Sequence, residues 1–300
     1  CKALGVRPDY FNRDTTLTLE NVEFRKLQRL AVKDKESVKQ RTIDMLERYY
    51  ELEDVIGLEN EFKNPIKDFQ VRNYADVNEA ASLVRKKWNL GQDPLKNVVE
   101  LLEDHSIKVI ELQSDLAFNG LSTFVNAKHP VVVLNASLGD HLDRKRFTGL
   151  HELGHLVLNF DESLDEKTKE KYCNVFASAM LMPESYLKRE LGENRQRILL
   201  NELIYLKMEF GASVQAILYR AKDLGIISES YHRSYMSFFA SKGIKTDEPW
   251  KLVGQEESNR FKQLLYRAIA EEIISTSKAA ALANLKLADL RDELAQKKIV

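Results

Sequence analysis

The chain has 300 residues, 44% of them hydrophobic and 30% charged, with 45 Lys/Arg against 46 Asp/Glu and a formal charge of −1. That length allows about two domains. The proportions exclude a disordered or collagen-like polymer, and the charge balance excludes a global pull onto nucleic acid or anionic lipid. No run approaches the ~18 apolar residues of a membrane helix, and no signal-peptide pattern opens the chain. We therefore expect a cytoplasmic protein without a membrane partner. Two cysteines, Cys1 and Cys173, are too few for a disulfide framework. The first residue is Cys rather than Met, which leads us to expect a piece of a longer protein.

Residues 1–11 read as the end of a helix closed by Gly5, then a turn into Tyr10 and Phe11. From Thr16 to Phe62 there is no proline and one glycine, Gly57, and apolar residues recur at three- and four-residue steps through Leu46, Tyr49, Tyr50 and Leu52. Long helices follow from that spacing. Residues 1–75 carry 14 basic and 14 acidic side chains, so their faces suit solvent or a homodimer contact rather than DNA. Asn64-Pro65 interrupts the pattern, and Ala75–Leu90 begins a new amphipathic helix with Ala80, Ala81, Val84 and Trp88 on its apolar side. A second domain is expected to begin there. After a helical Leu95–His105 come three β-type runs, Ile107–Leu112, Leu121–Val125 and Val131–Leu134, punctuated by Asn119-Gly120 and Pro130. Their spacing predicts a small three-stranded antiparallel sheet. The remainder reads as helices over 144–160, 168–182, 184–189, 201–210, 214–224, 256–274 and 277–297.

The sharpest chemical signal is His151-Glu152-Leu153-Gly154-His155. A random chain of this composition would show His-acid-x-x-His about 0.02 times. Histidines at i and i+4 stand one above the other on a helix, so both imidazoles can reach one zinc ion. At ~100° per residue, Phe147, Leu150, Leu153, Gly154, Val157 and Leu158 share one arc, the two histidines lie on its border, and Glu152 lies further round. The pair thus sits beside the core, where Glu152 can lean over a water.

A hydrolytic zinc site needs a third protein ligand and one open position. A third histidine six residues after His155 is ruled out, since that residue is Asp161. Of the downstream acids Asp161, Glu162, Asp165, Glu166 and Glu170, only Glu170 lies in line with the apolar stripe Cys173, Ala177, Met180 and Leu181. An acid on a core-facing stripe needs a partner, and metal suits it; the other reading is a helix-start acid favoured by the dipole. Cys173 reads as a small buried side chain. Asn174 reads as a hydrogen-bonding neighbour of the site or a packing residue. His105, His129, His141 and His232 read as incidental, with His232 or a tyrosine the candidate for stabilising an oxyanion.

The stretches Arg146–His155, Glu170–Ala177 and Leu181-Met-Pro183 together resemble the ImmA/IrrE family of metallo-endopeptidases. Ala80–Trp88, Gly120-Leu-Ser122 and Val131–Asn135 extend the resemblance to roughly residues 76–227, and residues 1–12 resemble the last helix of an Xre-type helix-turn-helix domain. The resemblance implies an α+β, predominantly helical fold with a zincin-like metallopeptidase core and flanking helical segments. It implies His151, His155 and Glu170 as metal ligands, Glu152 as catalytic base, and zinc as the metal, with manganese as the alternative. The implied divisions are 1–15 as a helix-turn-helix remnant, 16–75 as a linker or dimerisation segment, 76–242 as the peptidase domain with a helix-turn-helix-like subdomain near 201–227, and 243–300 as a C-terminal helical segment. The implied activity is zinc-dependent cleavage of a protein, a helix-turn-helix repressor, by a fused transcriptional regulator that reaches DNA through its N-terminal domain. The alternative is a regulator or antitoxin-like protein that uses the peptidase fold to sense or to bind a partner. The edge of the strand near Gly120–Val125 is where an extended substrate would pair.

Overall fold

The computed structural model describes residues 17, 19–20, 32–59, 61–114, 118–138, 141–245 and 247–296. The readings for residues 1–15 lie outside these. In chain order the elements are β1 (Leu19–Glu20), α1 (Val32–Val55), β2 (Gln70–Val71), α2 (Tyr74–Lys87), α3 (Val98–Asp104), β3 (Lys108–Leu112), β4 (Gly120–Val125), β5 (His129–Asn135), α4 (Leu142–Val157) and β6 (Asn159–Phe160). They continue with α5 (Glu166–Leu181), α6 (Glu184–Leu191), α7 (Leu200–Phe210), α8 (Val214–Asp223), α9 (Glu229–Ser241), α10 (Arg260–Ala270), α11 (Thr276–Leu282) and α12 (Leu287–Gln296). The fold is α+β and mainly helical, as expected. No helix among the described residues is long and apolar enough to cross a membrane.

The main sheet is mixed rather than antiparallel, in the order β1-β4-β5-β3. β4 and β5 form the expected antiparallel hairpin, but β3 pairs parallel with β5, from Lys108↔Val131 to Leu112↔Asn135. Hairpin spacing holds only across residues 126–128. The seven residues between β3 and β4 are long enough to carry the chain past β5, which then inserts between them. β1 adds two antiparallel pairs, Leu19↔Val125 and Glu20↔Phe124, where the sequence pattern predicts helix. β4 is therefore not a plain edge: β1 covers its last two residues, and Gly120–Thr123 have β5 as their one strand neighbour among the described residues.

Alternation along the strands sends side chains to two cores. Val109, Val132 and Leu134 join Val98, Leu102, Leu150 and Leu153 of α3 and α4, while Ile110, Leu121, Val131 and Val133 meet Val38 and Leu46 of α1. Burial on both faces accounts for the unbroken apolar run in β5. The next turns of α1 leave the sheet, and Tyr49 and Leu52 pack on Leu264, Leu265, Ala279 and Leu290 of the C-terminal helices. The single helix read over 277–297 is two, because the chain turns at Asn284, whose φ is 57°. Asparagine tolerates that left-handed conformation at a helix end.

The segment between α9 and α10 is fastened by two buried acids at helix N-termini. Glu248 accepts from the Val214 and Gln215 amides and pairs with Lys207 at 2.9 Å. Glu256 accepts from the amides of Val98 and Val99 and pairs with Arg146 at 2.7 Å. Orphan amides and dipole both favour an anion at such positions.

Nearby Glu103, which accepts from Ser258 Oγ at 2.6 Å, has its carboxyl pushed up to about 7, chiefly by burial. A raised folded value means that stability is full below the unfolded carboxyl's range and declines as pH rises towards 7. Glu103→Gln is expected to flatten that decline and to be the more stable protein at pH 8. The gain should be on the order of 2 kcal/mol, allowing for solvent screening of a partly exposed group, as read by denaturant unfolding at pH 5 and pH 8.

Candidate metal centre

α4 and α5 lie side by side, and their contact fixes the site. A Cβ at Gly154 would stand 3.3 Å from both Cα and Sγ of Cys173, tighter than normal packing. Glycine between the two histidines therefore lets α5 approach, and Cys173, fully buried, is the small side chain expected from the sequence. Asp165 starts α5 by accepting from the Thr168 amide at 2.8 Å. One turn further on, Glu170 projects beside α4. Its stripe behaves as read, with Cys173, Ala177, Met180 and Leu181 all buried, whereas Glu170 at its end keeps 41% of its side chain exposed.

His151, His155 and Glu170 converge. His151 Nε2 lies 3.1 Å from His155 Nε2 and 3.2 Å from Glu170 Oε2, and His155 Nε2 lies 3.3 Å from Glu170 Oε1. Three ligand atoms at ~2.0–2.1 Å from a tetrahedral zinc would stand about 3.3 Å apart. The 3.1 Å between the two imidazole nitrogens is close to that edge length, and Glu170 meets each imidazole with a different carboxylate oxygen, so the carboxylate spans the pair. The donor chemistry fits as well: His151 Nδ1 donates to Asn174 Oδ1 at 2.9 Å, which turns Nε2 of the ring towards a second imidazole and a carboxylate. Such a grouping is stabilised by a cation at its centre. Both imidazoles are nearly enclosed, at 12% and 11% exposure, while the half-exposed Glu170 marks the side open to solvent.

Glu152, next to His151 on α4, is in reach of β4. It is 2% exposed, and Ser122 Oγ of β4 donates to its Oε2 at 2.8 Å. The helical wheel places Glu152 beyond the apolar arc because the wheel lacks the sheet: β4 lies over that face, its Ser122 paired with Val132 in register. Ser122 is the functional neighbour that the sequence did not single out. Its position in the strand, one residue from the inward-facing Leu121, was the available signal.

The other candidates have separate occupations. Asp161 accepts from Ser163, Asp165 caps α5, and Glu166 pairs with Lys169. His105 stacks on Trp88, His129 lies against Tyr50, and His141 is 3.9 Å from Asp247. His232 packs on Tyr219 with its ring centroid 4.4 Å away. None of the four joins the cluster.

Residues 102–222, from α3 to the end of α8, match the IrrE N-terminal-like domain, peptidase family M78. The chain carries an ImmA/IrrE-family domain. The matched span contains both helices of the metal cluster and the β3–β5 sheet, and is narrower than the stretch of resemblance, since α2 lies outside it. The domain is thus of a metallopeptidase family, and the His/His/Glu cluster stands within it. No curated protein matches the chain.

Proposed function

We propose that this protein is a zinc-dependent endopeptidase that cleaves a protein substrate, a helix-turn-helix repressor, as part of a transcriptional regulator. The observation that carries this reading is the convergence of His151, His155 and Glu170, each within 3.1–3.3 Å of the other two residues, inside a peptidase-family domain. Two imidazoles and one carboxylate suit zinc, with manganese second. When bound, the metal supplies Lewis acidity that polarises a peptide carbonyl and acidifies water.

The chain's own residues do the remainder. Asn174 holds His151 in the tautomer that presents Nε2 to the metal. Glu152, held by Ser122, is the base that takes a proton from water and later delivers it to the leaving amine. Asn174→Ala is expected to weaken zinc binding about 10- to 100-fold without changing unfolding of the metal-free protein, as measured by competition with a chromophoric chelator.

The direct test is incubation of zinc-loaded protein with the repressor encoded nearest to its gene. Two fragments are expected, and none in excess EDTA. An intact repressor under all metal conditions, or cleavage that persists in the chelator, would overturn the proposal.

A further inference from the structure

A cleft of about 810 Å³ lies beside the metal cluster, walled by the first half of α4, by α5, by α8 and by Lys245, Glu248 and Lys251. Asn174 lines it, and Asn174 is the residue that holds His151. The cleft and the cluster thus share Asn174, while His151, His155 and Glu170 themselves lie outside the cleft's lining. The cleft is also unlike the rest of the chain in charge: Arg144, Lys171, Lys207, Lys222, Lys245 and Lys251 face Asp143, Asp223 and Glu248, six cations against three anions in a protein of net charge −1.

Pairing sharpens the contrast. Lys207 is engaged by Asp143 and Glu248, Lys222 by Asp223 at 3.2 Å, and Lys251 by Asp247. Every acid of the wall is therefore occupied. Arg144, Lys171 and Lys245 are exposed and have no acidic partner among the described residues. Phe147, Val175 and Tyr219 supply apolar wall between them.

We infer that this cleft is a subsite for acidic side chains of the polypeptide substrate, an inference that rests on the peptidase reading. Arg144 precedes His151 by seven residues, about 10 Å along the helix, which is about three residues of extended peptide. A carboxylate some three residues from the bond at the cluster would meet Arg144 and Lys171, while neighbouring apolar side chains lie on Phe147 and Tyr219. A nucleic acid fits less well, because a phosphate at every residue needs a continuous run of cations, and here only Arg144, Lys171 and Lys245 are not engaged by a described acid, with Phe147, Val175 and Tyr219 forming apolar wall between them.

The test is binding rather than turnover, with zinc removed. Fluorescein-labelled Gly-Leu-Glu-Glu-Leu-Phe-Gly and its Gln-Gln counterpart are titrated with the full chain and followed by anisotropy. The Glu peptide is expected to bind about tenfold more tightly at low salt, to lose that preference near 0.5 M salt where screening is short-ranged, and to lose it in R144E/K171E. K171Q, a milder change on an exposed face, serves if the double variant does not fold, and should reduce the preference severalfold. Equal binding of the two peptides, an undiminished preference in the variants, or stronger competition by a single-stranded oligonucleotide than by the Glu peptide would each overturn the inference. A preference that persists in a protein unable to cleave any substrate supports the subsite and overturns the peptidase reading instead.

Discussion

Glu152→Gln is expected to retain one zinc per chain and to slow repressor cleavage by about 10²- to 10⁴-fold, the usual worth of a positioned proton-transfer group. The amide keeps the shape of the carboxylate and still accepts from Ser122, so the buried pocket on β4 is preserved. What it loses is the ability to take a proton. Burial adds to the effect, since a side chain at 2% exposure cannot be replaced by bulk water acting in its stead. Metal content by elemental analysis and single-turnover cleavage read the two halves of the expectation separately. Retained cleavage would show that the proton goes to another group.

His155→Ala is expected to abolish zinc binding and every effect that depends on it. Wild-type protein at a zinc concentration about 100 times Kd should gain roughly 2.7 kcal/mol of stability, a rise of several degrees in Tm for a chain of this size. The variant should show no rise. Its metal-free stability is read alongside by denaturant unfolding, so that loss of zinc binding is told apart from loss of the fold; His155 contacts His151 and Glu170 in the cluster. A zinc-induced shift that survives in His155→Ala would place the ion elsewhere.

Much of this site is legible in one dimension because it is built on two helices. The i, i+4 spacing of His151 and His155 fixes their common face, and the register from Glu170 to Cys173, Ala177 and Met180 fixes the third residue's direction. The burial of Leu150, Leu153 and Val157 follows from the same periodicity. What periodicity cannot carry is contact between distant segments. Ser122 reaches Glu152 across thirty residues of chain, and only the β4–β5 register brings it there. The parallel β3–β5 pairing is hidden for the same reason, since strand patterns report which face is buried and not which neighbour lies alongside. α9 shows no helical stripe in the sequence because its buried surface comes from His232, Phe239 and partly buried tyrosines, and not from aliphatic residues. The acids Glu248 and Glu256 likewise look like ordinary surface charge until the helix N-termini they cap are placed beside them.

The central claim is that His151, His155 and Glu170 together hold one divalent cation, and X-ray absorption at the zinc edge tests it most directly. We expect one zinc per chain with nitrogen and oxygen neighbours at ~2.0–2.2 Å and no sulfur, and a changed spectrum in Glu170→Gln. A sulfur neighbour at ~2.3 Å, which would implicate a cysteine, or a spectrum indifferent to Glu170→Gln, would contradict the account.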